Sequence, residues 1–134
     1  MTLSLRTRRQ RRGGSAIEFA FILPVLLSLV LGMIDFGYYF VQEGYVVSAA
    51  REAARLGVTY DSSEAEAEAE ARGNAVLAEH GLTGAVDADV TGTSPEQVLS
   101  VTVDVDYDPL VGFIHFPDGF QMHGSMTMLL ELQD

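Results

Sequence analysis

From Phe19 to Ile34 the chain carries no charged side chain. As a helix, a run of about 16 residues rises roughly 24 Å. The hydrocarbon core of a bilayer is roughly 30 Å thick, so a span must borrow residues at both ends. Residues 16–40 are the expected crossing, with Tyr38 and Tyr39 at the level of an interfacial aromatic belt. Directly ahead of the run stand Arg6, Arg8, Arg9, Arg11 and Arg12, five of the eight basic residues, followed by Gly13 and Gly14. Positive charge on one flank keeps that flank cytoplasmic, which sends the remainder across. A secretory signal would need a small-residue cleavage site after the apolar core. LSLVLGMIDFGYYF supplies no good one.

Glu18 interrupts the apolar character early. A carboxylate within a span costs up to roughly 3 kcal/mol on insertion scales, less near the interface, and such residues are usually paired and functional. Cleavage between Gly13 and Gly14 would create an amine about one helical turn from Glu18. In a low-dielectric setting that amine, or a neighbouring subunit's, is a natural partner for the carboxylate.

GGSAIEF resembles the processing site of type IV pilins: a small residue, the cut, then glutamate as fifth residue of the mature chain. The longer string RGGSAIEFAFILPVLLSLVLGMIDFG resembles the TadE family of the tight-adherence (Tad, or Flp) pilus system. The basic leader, the EFA triplet with Glu18 and Phe19, Pro24 and the polar exit all have counterparts there. AAREAARLG, from Ala49 to Gly57, is a second family-like string. A cut after Gly14 would make Glu18 the fourth residue; the family pattern favours the cut after Gly13. The resemblance implies a minor pseudopilin, cut by a prepilin peptidase, that initiates, primes or caps an Flp/Tad pilus for surface adhesion. Its implied partners are TadF-like and TadG-like minor pilins, the Flp major pilin, an inner-membrane assembly platform and membrane lipid. It implies a single pass in the bacterial inner membrane, the C-terminus periplasmic, with pilus or cell surface as a further location. The other reading is an unprocessed, single-pass anchored binding or accessory protein of a secretion system.

The remaining chain is acidic. All 19 acidic residues follow the leader, against only three arginines, Arg51, Arg55 and Arg72. Phosphate binding needs a basic face, so nucleic acid is not an expected partner. With no cysteine, disulfides and thiol chemistry are excluded.

The expected fold is α+β: a long N-terminal helix continuing into a small head with a second helix and a three-stranded antiparallel sheet. The expected units are a leader at 1–13, the helix at 14–57 and the head at 58–134. Pro24 inside the helix removes a hydrogen bond and favours a kink, and Ser28 and Gly32 form a small-xxx-small pair for helix approach. Beyond the span, Phe36, Phe40, Val47, Ala50, Ala54 and Val58 fall near helical spacing as an apolar stripe. Arg51 and Arg55 are candidates for pairing with Glu52 or for partner docking, and Gly57 is a stop signal. Asp61, Ser62 or Ser63 is expected to cap the second helix, EAEAEAEAEAR onward to about His80. Val76 and Leu77 are its packing side and its glutamates a solvated face, with Gly81 ending it. Period-two alternation marks strands from residue 84, at VLSVTVDVDYDP, and from Phe120 to Leu132.

Asp104, Asp106 and Asp108 begin like a calcium loop, but Pro109 stands where that loop needs glycine. His80, His115 and His123 lack metal-ligand spacing. The residues therefore give no reason to expect a cofactor, a metal or a catalytic group. LVGFIHF, from Leu110 to Phe116, is apolar between polar strands. It is expected to fold over the sheet, or to offer Phe113, Ile114 and Phe116 as a docking patch.

Overall fold

The computed structural model describes residues 12–93, 96–117 and 119–130, with side chains from Gly14 onward. Arg6, Arg8, Arg9 and Arg11 of the leader therefore lie outside the described residues, as does the strand expected at Glu131 and Leu132.

Two helices are followed by three strands: α1 (Arg12–Gly57), α2 (Ala65–Glu79), β1 (Gly84–Thr93), β2 (Glu96–Asp106) and β3 (Gln121–Leu130). The strands form one antiparallel sheet of order β1-β2-β3. The expected α+β architecture is the observed one. α1 begins at Arg12, so it already runs through the Gly13–Gly14 bond.

The core depends on small residues. Val46, Ala49, Ala50, Ala53 and Ala54 of α1 are fully buried, spaced three and four apart on one face. That face differs from the expected stripe. Ala50 and Ala54 belong to it, Val47 and Val58 are half-buried, and Phe36 and Phe40 are exposed. Methyl-sized side chains let a helix and a sheet both approach the α1 backbone, whereas phenylalanine would hold them away. Two glycines mark close approaches to α1. A Cβ at Gly57 would stand 2.5 Å from Leu99 Cδ2 and 2.9 Å from the Ala65 carbonyl oxygen. One at Gly124 would stand 2.9 Å from the Val46 carbonyl oxygen.

α2 returns along α1 in the opposite sense. Ala69 meets Gly57, Gly73 meets Ala53, and the His80 ring stacks on Tyr45 at 3.8 Å. Its packing side is Ala65, Ala69, Gly73, Val76 and Leu77. Its N-cap is Glu64, without a side-chain cap, rather than Asp61, Ser62 or Ser63. The backbone carbonyl of Asp61 accepts from Glu64 N–H and Ala65 N–H, both at 2.9 Å, so a main-chain turn replaces the side-chain cap. Gly81 follows in the left-handed region at φ 70°, as expected of a helix stop.

Leu99, Val101, Val103, Val105 and Tyr107 point into the core. Met122 and Leu130 of β3 join them, with Met126 and Met128 packed against the same cluster. On the other face Asp104 holds His123 at 2.7 Å and Asp106 accepts from Gln121 at 2.9 Å, each with its register partner. These aspartates are thus engaged across the strands, as side chains of a wet sheet face.

Two glutamates of the exposed α2 face also bond to β1. Glu66 Oε1 accepts from Val90 N–H at 2.9 Å, and Glu70 Oε1 from Ala88 N–H at 3.4 Å. These amides lie on the edge of β1 away from β2. Covering them denies that edge to a foreign strand.

Candidate functional site

Two features stand out along α1: an exposed apolar half and, at its end, a buried carboxylate. Ile17, Phe19, Phe21, Ile22, Val25, Leu26, Leu29 and Met33 are each more than half exposed. No residue of the most apolar window of this helix is buried by the protein, and its length and composition suit a bilayer crossing. Glu18 is exposed on this half, beside Phe19 at 59%. No hydrogen-bond or ion-pair partner reaches Glu18 among the described residues. Pro24 lies within the helix, where it has no N–H to donate; Ser28 Oγ donates to the Val25 carbonyl at 2.8 Å nearby.

Asp35 ends the uncharged run and is fully buried. Its Oδ1 accepts from Val111 N–H at 2.9 Å; its Oδ2 accepts from Phe113 N–H at 2.9 Å and Ile114 N–H at 3.2 Å. The Tyr107 hydroxyl donates to the Asp35 backbone carbonyl at 3.0 Å. One side chain thus collects the amides of a segment more than 70 residues further along the chain. Charge-assisted bonds of this kind are about twice as strong as neutral ones. Burial, and then the Asp35 charge, raise the Tyr107 phenol above its ordinary value, so it remains a donor.

The segment from Tyr107 to Ile114 is therefore clamped to α1, not simply folded over the sheet as expected. The Ile114 side chain comes within 3.9 Å of a Cβ position at Gly32, so Gly32 receives a loop of its own chain. Phe116 packs edge-on to Tyr107 at 4.9 Å and against Phe120 at 4.9 Å, with Tyr39 alongside. Tyr38 and Tyr39, expected at the level of an aromatic belt, are partly buried against the head. Of the docking candidates, Ile114 and Phe116 are half-buried, and Phe113 is 47% exposed.

Arg51 and Arg55 are exposed, and neither pairs with Glu52 or another acid among the described residues. Arg72 pairs with Glu52, and with Glu79 at 3.7 Å. Arg72 sits on the facing helix and reaches Glu52 across the α1–α2 seam.

Asp35 is a site residue that no motif or spacing in the sequence singles out. The signal was present: a lone aspartate ending an uncharged run is costly in an apolar setting unless satisfied. Its partners lie too far along the chain for spacing to reveal them.

A long helix with an unburied apolar half, set in a small α+β head, fits the class of membrane-anchored proteins; among the described residues it is the one helix long and apolar enough to cross a bilayer. Residues 13–55 match the TadE-like protein family, so the segment from the two glycines to the end of the alanine face is TadE-like. The matched residues contain the exposed span, Asp35 and the alanine face, and stop before the head begins. No curated protein and no solved structure matches the chain.

Proposed function

We propose that this chain is a TadE-like minor pseudopilin that helps to initiate, prime or cap a Tad pilus for surface adhesion. The TadE-like match supports association with the Tad pilus system. The observation that carries the finer reading is the exposed apolar half of α1 with one carboxylate near its start, Glu18, that has no partner among the described residues. Before assembly this surface is covered by lipid in the inner membrane; in an assembly it is covered by neighbouring helices. A prepilin peptidase cuts after Gly13, and Glu18 then pairs with an α-amine, its own or a neighbour's. The acidic head stands in the periplasm, where minor pilins meet it.

Intact-mass measurement of the chain purified from membranes, with and without the peptidase, tests the processing. A start at Gly14 that needs the peptidase supports it; an intact leader in both overturns it. Glu18→Ala is expected to leave membrane insertion unchanged and to impair pilus assembly. Normal piliation would remove Glu18 from the mechanism.

One observation favours the other reading, an unprocessed anchored accessory protein. α1 already runs through Gly13 and Gly14, and a peptidase must open such a helical bond before it can cut. The same mass measurement separates the two readings.

A further inference from the structure

We propose that the loop at residues 110–116 is a second membrane contact, in which Leu110, Val111 and Phe113 enter the lipid interface beside the exit of α1. The proposal rests on reading α1 as a bilayer anchor. Asp35 fixes the height of the loop by holding the amides of Val111, Phe113 and Ile114, and Ile114 lies over Gly32. The loop is therefore level with the last exposed turns of the apolar helix. Leu110 is 61% exposed, Val111 45% and Phe113 47%. On α1 at the same height Ile34, Phe36 and Phe40 are exposed as well. Helix and loop together present exposed apolar side chains at one height.

Three considerations select lipid as the occupant. First, the loop has already satisfied its inward demand: Phe116, with Phe120, packs on Tyr39 and Tyr107. Leu110, Val111 and Phe113 are left about half exposed on its outward side, with the exposed His115 beside them. Second, irregular backbone is tolerated at membrane depth only where its polar groups are satisfied by protein. The Asp35 carboxylate does this for three of the loop amides. Third, residues 58–134 hold 15 acidic residues against one arginine, a net charge of −14 beside the loop, which disfavours a second copy at this position. The exposed Asp108 next to the loop makes a zwitterionic lipid surface a better match than an anionic one.

The chain has no tryptophan, so single reporters can be placed in the full-length protein reconstituted in phosphatidylcholine vesicles. Phe113→Trp reads the loop, Leu27→Trp the span, and Leu129→Trp, at an exposed position on the far sheet face, the water-facing head. Quenching is measured with lipids brominated near the glycerol backbone or near the chain ends. The expected result is blue-shifted Phe113→Trp emission, quenched more by the shallow bromines than by the deep ones, with Leu129→Trp unquenched. Adding Asp35→Ala to Phe113→Trp is expected to shift the emission red and remove the quenching. If Leu27→Trp is quenched while Phe113→Trp behaves like Leu129→Trp, the loop proposal is overturned and the anchor stands. Phe113→Trp emission that ignores the bromines but shifts with protein density would mean a second copy covers the loop, which also overturns it. An unquenched Leu27→Trp sinks the anchor reading, and the loop proposal with it.

Discussion

The two halves of α1 solve opposite problems with opposite residues. Between Ile17 and Ile34 the helix bears large side chains, mostly exposed. Between Gln42 and Gly57 its inner face is alanine, valine and glycine, and is buried completely at Val46, Ala49, Ala50, Ala53 and Ala54. The more hydrophobic half is therefore the uncovered one. Apolar composition says that a surface avoids water; it does not say what covers it. Large side chains suit lipid, which conforms to any shape. Methyl groups suit a protein partner, which gains by bringing backbones close.

This contrast can be broken experimentally. The largest effect belongs to the buried side. Leu99→Ala empties a fully buried site against Gly57 and is expected to cost about 2–5 kcal/mol in denaturant unfolding of the head. Leu29→Ala, an equal deletion on the exposed half, should leave head unfolding unchanged. Equal costs for both would erase the distinction.

Next comes overpacking. Gly57→Ala drives a methyl group into Leu99 and the Ala65 carbonyl and is expected to cost about 1–3 kcal/mol. Gly37 has nothing within 4 Å of its Cβ position, so Gly37→Ala should be neutral or slightly stabilising through helix propensity.

The junction between the halves responds more locally. Asp35→Ala should free the amides of Val111, Phe113 and Ile114 to exchange hydrogen rapidly while those of β2 stay protected. Unchanged exchange at these amides would refute the clamp.

A pH effect follows from Tyr107. Burial first, then the Asp35 charge, hold its phenol above the ordinary 10.0. The raised value means that folding favours the neutral form. That contribution is fully present below pH 10 and lost as pH rises through the folded value. Tyr107→Phe should flatten this alkaline loss in a stability–pH profile; an unchanged slope would place its origin elsewhere. The smallest effect is expected from Arg72→Ala. Its ion pairs are partly exposed, so its loss should stay within about 1 kcal/mol.

The strands were legible because alternation reports directly which face is dry. The buried set Leu99, Val101, Val103, Val105 follows from period two alone. Helix α2 was legible in its packing side and its glycine stop, but not in its cap, which a backbone carbonyl supplies. Two of its glutamates read as solvated and proved to hold the edge amides of β1. Glu66 and Glu70 look like Glu64 and Glu68 until a strand edge is placed beside them.

By itself the sequence determined that an apolar helix, able to cross a bilayer by borrowing residues at both ends of its uncharged run, follows a basic stretch, and that an acidic α+β head follows the helix. Both rest on composition and on periods of 3.6 and two, which act locally and need no distant partner. Only the tertiary structure decided that Asp35 is the hinge-point between the two. A carboxylate in an apolar setting is defined by what reaches it, and the amides that reach it come from the far end of the chain.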